Sequence, residues 1–177
     1  MSRKRNAKKQ LWIPNHEKRF TLRKVPPFEI GDLVLRPMKL SDAQAHKKLC
    51  DAGGSKLGDF LGFAESIQHW SLAQHKQWIL TNQLAGHPFE TYGAFHENHL
   101  LGFFSYGQAG DLLGCQISYY CGSDVSGKGI ATEVTKVMVE KAFTLAGFEY
   151  IELHIDVDNL ASQRVATKAG FSYIKDY

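Results

Sequence analysis

Cysteine is scarce in this chain: Cys50, Cys115 and Cys121 make an odd number, without the paired spacing of a metal site or a disulfide framework. They read as free, buried or half-buried thiols in a reducing compartment, which excludes a disulfide scaffold. No apolar run approaches the ~18 to 20 residues that span a bilayer, and no apolar stretch follows the charged N-terminus to act as a signal peptide. The expected protein is therefore cytoplasmic and makes no use of the membrane. Internal repeats are missing, as is low-complexity sequence beyond a basic arm. Acidic residues are nearly absent from that arm: residues 1–24 hold nine Lys/Arg against Glu17 alone, a local +8, which leaves −5 for the rest of a chain whose net charge is +3. Such an arm suits weak contact with phosphates, as on ribosomal RNA, or serves as a solvated tail that aids solubility.

What is present fits one domain. The 177 residues are 44% hydrophobic, enough for a sizeable core. The reading divides the chain into a basic N-terminal extension, 1–28, and a domain over 29–177. Residues 33–36 predict a strand, and Ser41 or Asp42 caps the helix after it. Residues 53–65 are too rich in glycine for a regular element. Ser71 caps a second helix running to about residue 85. "TYGAFHENHLLGFFSYG" predicts a hairpin, and "LLGCQISYY" another strand. A helical stripe follows from Ile130. "YIELHIDVD" then alternates, with Ile151, Leu153 and Ile155 on one face and Glu152, His154 and Asp156 on the other. Asp158 or Asn159 caps a last helix that Gly170 ends. The order is that of an α/β or α+β layered domain with a mixed sheet flanked by helices.

The stretch "CGSDVSGKGIATEV" lies between a strand and a helix. At a helix start the first N–H groups lack partners and the macrodipole is positive, while glycine admits close approach. Ser126, Gly127, Lys128, Gly129, Ile130, Ala131 and Thr132 therefore read as a phosphate cradle, or simply as a turn. The spacing is neither that of a Walker A loop nor that of a dinucleotide fingerprint. His96 and His99 sit at the hairpin turn with no further ligand evident, so no metal is expected.

"SGKGIAT" resembles the R/Q-x-x-G-x-G/A acyl-CoA loop of the GNAT N-acetyltransferases. "DNLASQRVATKAGF" is similar to the N-x-x-S-x-x-V-x-x-K-x-G-F segment of the RimJ/RimL branch, which acetylates ribosomal-protein N-termini. "LVLRPMKLSDA" and "CQISYY" resemble that branch's opening strand and helix and its A-E-I-G-Y-W strand. The resemblance spans residues 29–171. It implies the GNAT fold, a mixed and mostly antiparallel sheet, and acetyl-CoA as co-substrate. The diphosphate would sit on the cradle, and the pantetheine arm along the Gln116 to Tyr120 strand where that strand splays from the Ile151 to Val157 strand. A backbone N–H near Tyr119 or Tyr120 would polarise the thioester. Ser162 would protonate the leaving thiolate, and Asn159 would fix the CoA arm, cap the helix, or both.

The sequence departs from the family pattern in places. Ser126 stands where the loop carries Arg or Gln, Gln116 where the strand often has Glu, and Ala166 where many GNAT enzymes have a catalytic Tyr. Family members continue past the Gly-Phe with a hairpin whose last strand completes the sheet and whose segment carries the RimL-like carboxylate base. Here that strand is missing from the C-terminal end, or another segment fills its place; residues 19–25 have strand character. His154, with Glu152 and Asp156 on its face, is the candidate to pass the amine's proton.

The expected activity is direct acetyl transfer from acetyl-CoA to a primary amine, first a protein N-terminal α-amine, with a ribosomal protein as the possible acceptor. Small amines, polyamines or aminoglycosides, and a non-catalytic CoA- or partner-binding module are the alternatives.

Overall fold

The computed structural model describes residues 8–14, 25–53, 67–83, 89–109, 113–145 and 148–176. Among the described residues eight strands form one sheet: β1 (Lys8–Pro14), β2 (Phe28–Ile30), β3 (Leu33–Pro37), β4 (Phe89–His96), β5 (His99–Gln108), β6 (Gly114–Cys121), β7 (Tyr150–Asp156) and β8 (Ser172–Asp176). Among the described residues four helices accompany them: α1 (Ala43–Gly53), α2 (Leu72–Thr81), α3 (Ile130–Thr144) and α4 (Leu160–Lys168). The spatial order is β2-β3-β4-β5-β6-β7-β1-β8. All neighbours pair antiparallel except β6 and β7, which run parallel.

Strand alternation sends two sets of side chains to opposite faces. Tyr92, Phe104, Ile117, Ile151 and Leu153 pack with Val134 and Met138 of α3 and Ala166 of α4. On the other face Phe95, Leu100 and Phe103 pack with Leu49 and Cys50 of α1 and Ile79 of α2. The central strands β4 and β5 are thus covered on both sides, as a layered domain requires.

Helix starts follow local chemistry. Ser71 caps α2 through a reciprocal box with Gln74, as the sequence predicts. Near α1 the expectation needs correction: the helix is entered through a 3-10 turn, Leu40–Asp42, and the Asp42 carboxylate bonds back to the Lys39 N–H at 2.6 Å and to Arg36 at 2.7 Å. The expected hairpin turns at Glu97, a non-glycine residue at φ 53°.

The far end of the sheet holds the main surprise. Lys8–Pro14, within the basic arm, lies between β7 and β8 and pairs antiparallel with both. It occupies the place the sequence left open for a completing strand. The alternative offered for that place, residues 19–25, differs from it: residues 19–24 lie outside the described residues, and Val25 is buried against the hydroxyls of Tyr92 on β4 and Tyr106 on β5, in the middle of the sheet. The remainder of the basic arm also lies outside the described residues. Among those described, no helix is long and apolar enough to cross a membrane.

Candidate active site

Strands β6 and β7 are paired only at their beginnings, Gly114 with Tyr150, Cys115 with Ile151 and Gln116 with Glu152. The Tyr150 ring covers Gly114 so closely that a Cβ there would lie 2.3 Å from it. Past Gln116 and Glu152 the two strands part. The gap between Ile117–Cys121 and Leu153–Asp156 opens into a cavity of 760 Å³ that both faces of the sheet share.

At one end stands the glycine loop. Gly127 at φ 78° and Gly129 at φ 85° take left-handed conformations that any side chain would strain. Nothing lies within 4 Å of a Cβ built at either, so the space above them is open. Gly129 starts α3, and no side chain caps the helix. The N–H groups of Ile130, Ala131 and Thr132, which lack intrahelical acceptors by position, border the cavity. The loop residues expected to form the cradle thus lie together at the edge of the cavity. Ser126 borders the same cavity, whereas Lys128 is exposed and not among its walls.

On the α3/α4 face, Asn159 caps α4 by accepting the Ser162 N–H at 3.0 Å. Ser162 and Asn159 both line the cavity beside Tyr119. Burial pushes the Tyr119 phenol up to about 12, and the neighbouring Ser162 hydroxyl draws it back in part. The Tyr119 Oη approaches Ser162 without completing a hydrogen bond, and it is one of few buried polar atoms left without a partner among the described residues. A buried donor in that state favours a bound polar group.

On the α1/α2 face, His154 Nε2 lies 2.9 Å from Glu152 Oε1. Glu152 is buried and His154 half-buried. Asp156, which the sequence places with them, is committed elsewhere: its Oδ1 accepts the Asp158 N–H at 2.9 Å. A polar row crosses the floor beyond. Thr91 pairs with Ser105 and Ser105 with Ser118 across adjacent strands. The Ser105 and Thr91 hydroxyls are 2.7 Å apart, and Thr91 donates to Asn82 Oδ1 at 3.1 Å. Sequence reasoning missed Asn82, Thr91 and Ser105, because only the strand register aligns them. The regular polar position in each of three apolar strands was the available signal.

His96 and His99 pair across the hairpin, and His99 is 3.6 Å from Asp124 at an exposed position. No metal-binding cluster forms there among the described residues.

This architecture has known counterparts. A family described as acetyltransferase (GNAT) domain matches residues 32–172, and the chain belongs to it. It is a GNAT acetyltransferase acting from acetyl-CoA. Among solved structures it is similar to RimL, ribosomal L7/L12 alpha-N-protein acetyltransferase in complex with coenzyme A, at 21% identity and a TM-score of 0.70, with 80% of each chain covered. It is also similar to MccE, the microcin C7 self-immunity acetyltransferase in complex with acetyl-CoA and AMP, at 16% identity and a TM-score of 0.70, covering 80% of this chain and 79% of that one. A third is a chimera of spermidine N-acetyltransferase SpeG from Vibrio cholerae and hSSAT, at 16% identity and a TM-score of 0.66, covering 81% and 82%. No curated protein sequence matches the chain.

Proposed function

We propose that this enzyme acetylates a protein N-terminal α-amine. The observation that carries the reading is the single cavity through the β6/β7 gap. It is lined by Gly127, Gly129, Tyr119 and Ser162 on one face of the sheet and, on the other, by His154, which is hydrogen-bonded to Glu152. In this reading the first-turn N–H groups from Gly129 to Thr132 hold the diphosphate of acetyl-CoA, and a β6 backbone N–H near Tyr119 polarises the thioester carbonyl. His154 takes the proton of the attacking amine, and Glu152 steadies the imidazolium that results. Ser162 supplies a proton to the departing thiolate. No covalent enzyme intermediate forms.

An α-amine titrates near ~8 against ~10.4 for a lysine, so a histidine base suits the first far better. RimL, which resembles this chain in fold, acts on such an amine. A small polyamine is the second reading. It is favoured by the buried Glu152 carboxylate, which would attract a cation, and by the likeness to a spermidine acetyltransferase. An assay of thiol release from acetyl-CoA, run against N-terminal peptides and against polyamines and aminoglycosides, separates them. Turnover confined to peptides with a free α-amine supports the proposal, and turnover confined to small amines replaces it.

A further inference from the structure

His46 and Cys50 lie four residues apart on α1 and therefore share one helix face. That face meets His75 of α2. The His46 and His75 Nδ1 atoms are 3.0 Å apart, and Cys50 Sγ is 3.6 Å from His46 Nε2. One ligand atom from each of the three lies within 4.8 Å of the others. All three side chains are fully buried.

The surroundings are aromatic. Trp78 stacks on the His46 ring at 4.7 Å, Phe103 meets it edge-on at 5.2 Å, and Trp70 meets His75 at 5.6 Å. Hydrogen bonds alone do not complete this cluster. With Cys50 donating to His46 Nε2 and His46 Nδ1 donating to His75, the His75 Nε2 atom still has no partner among the described residues. Three polar groups so deep in an apolar layer require a reason.

We propose that His46, Cys50 and His75 form a buried site for one soft metal ion, and that the ion is monovalent copper. Two imidazoles and a thiolate are the ligand set of copper or zinc, unlike the oxygen ligands that calcium and magnesium take. Metal–ligand bonds of about 2.0 to 2.3 Å hold neighbouring donor atoms roughly 3.3 to 3.8 Å apart, so closing on one ion uses a single His46 nitrogen and draws together donor atoms that lie within 4.8 Å of one another.

Charge decides between the two metals. On binding, the Cys50 thiol loses its proton to solvent and a sulfur–metal bond forms, with no change of oxidation state. Cu⁺ with one thiolate is then neutral. Zn²⁺ with one thiolate leaves a net positive charge in a dry aromatic pocket, which is unfavourable.

The test is anaerobic titration of the full chain with Cu⁺ against a chromophoric Cu⁺ chelator, in parallel with Cys50→Ala and with a Zn²⁺ titration. The expected result is one equivalent of Cu⁺ per parent chain, a raised Tm, and at least a 100-fold weaker affinity in the variant. Retained acetyl-CoA binding by Cys50→Ala shows that the variant is folded. Equal Cu⁺ binding by parent and variant overturns the site, since Cys115 and Cys121 would then be the ligands. One tight equivalent of Zn²⁺ with weak Cu⁺ overturns the choice of metal. If Cys50→Ala does not fold, X-ray absorption of the loaded parent decides: two nitrogens and one sulfur support the site, and sulfur alone refutes it.

Discussion

Glu152 and His154 are two residues apart on β7, and a 2.9 Å hydrogen bond joins them on the face away from α3 and α4. In a strand this spacing makes two side chains neighbours on one face, so the pair needs no loop to position it. Because Glu152 sits where β7 last pairs with β6, the carboxylate is at the fork of the gap and the imidazole one step inside it. His154→Ala is expected to lower kcat about 100-fold or more while leaving acetyl-CoA binding intact. Glu152→Gln keeps an oxygen acceptor but no charge, and should lower kcat less than the histidine change does. Steady-state kinetics on an α-amine peptide give both numbers, and an unchanged kcat in His154→Ala would assign the proton transfer elsewhere.

The two residues at the start of α4 divide their labour. Asn159→Ala removes a cap and should cost about 1 kcal/mol of stability, read from urea unfolding. Ser162→Ala leaves the cap acceptor in place and should instead lower kcat with little change in stability. If both variants lose only stability, Ser162 is not the proton donor.

At Gly129 the left-handed backbone and the open space above it make opposite demands on a substitution. Gly129→Ala meets no neighbour but strains φ 85°, costing roughly 1–2 kcal/mol. Gly129→Trp adds an indole where the diphosphate is to lie. Calorimetric titration with acetyl-CoA should show binding in the parent and none in the folded tryptophan variant.

Acid should weaken the metal-free protein through the α1/α2 layer. His46 has a folded value of about 3 against an ordinary 6.5, and His75 is lowered in the same direction. Below 6.5 the unfolded chain takes up protons that the folded one refuses. The stability contribution is therefore complete above about pH 6.5 and is lost as pH falls toward 3, at about 1.4 kcal/mol per pH unit for each proton. Urea unfolding at several pH values should show this slope, and a His46→Leu variant should flatten it.

The place of β1 is testable by truncation. Removing residues 1–14 leaves β8 without its described partner and bares the edge of β7 beside the active site. The expected outcome is a lower Tm and aggregation through the exposed edges. A truncated chain as stable as the parent would mean that the strand adds nothing.

Much of the site was legible because its signals are local. The two glycines of the loop, the Asn159 cap and the alternation of β7 are each set by residues a few positions apart, and each is found where the sequence put it. What escaped reading depends on distant pairing. Thr91, Ser105 and Ser118 form a row only once three strands are in register. His46 and Cys50 lie near His75 only because α1 packs on α2, and nothing in their spacing announces the third ligand. "KKQLWIP" was hidden for a different reason: its lysines made it read as a tail, and its partners lie at the opposite end of the sequence.

That last arrangement imposes an order of events. Residues 8–14 leave the ribosome before every other described strand of the sheet, yet the strands on either side of them come late, β7 after α3 and β8 after α4. The first of the sheet's described strands to be made is thus among the last able to pair, and the half of the sheet that carries the β6/β7 gap waits on this long-range closure. A nascent chain holding the first six strands has its hairpins but no seat for β1, so the enzyme becomes competent late in its own synthesis.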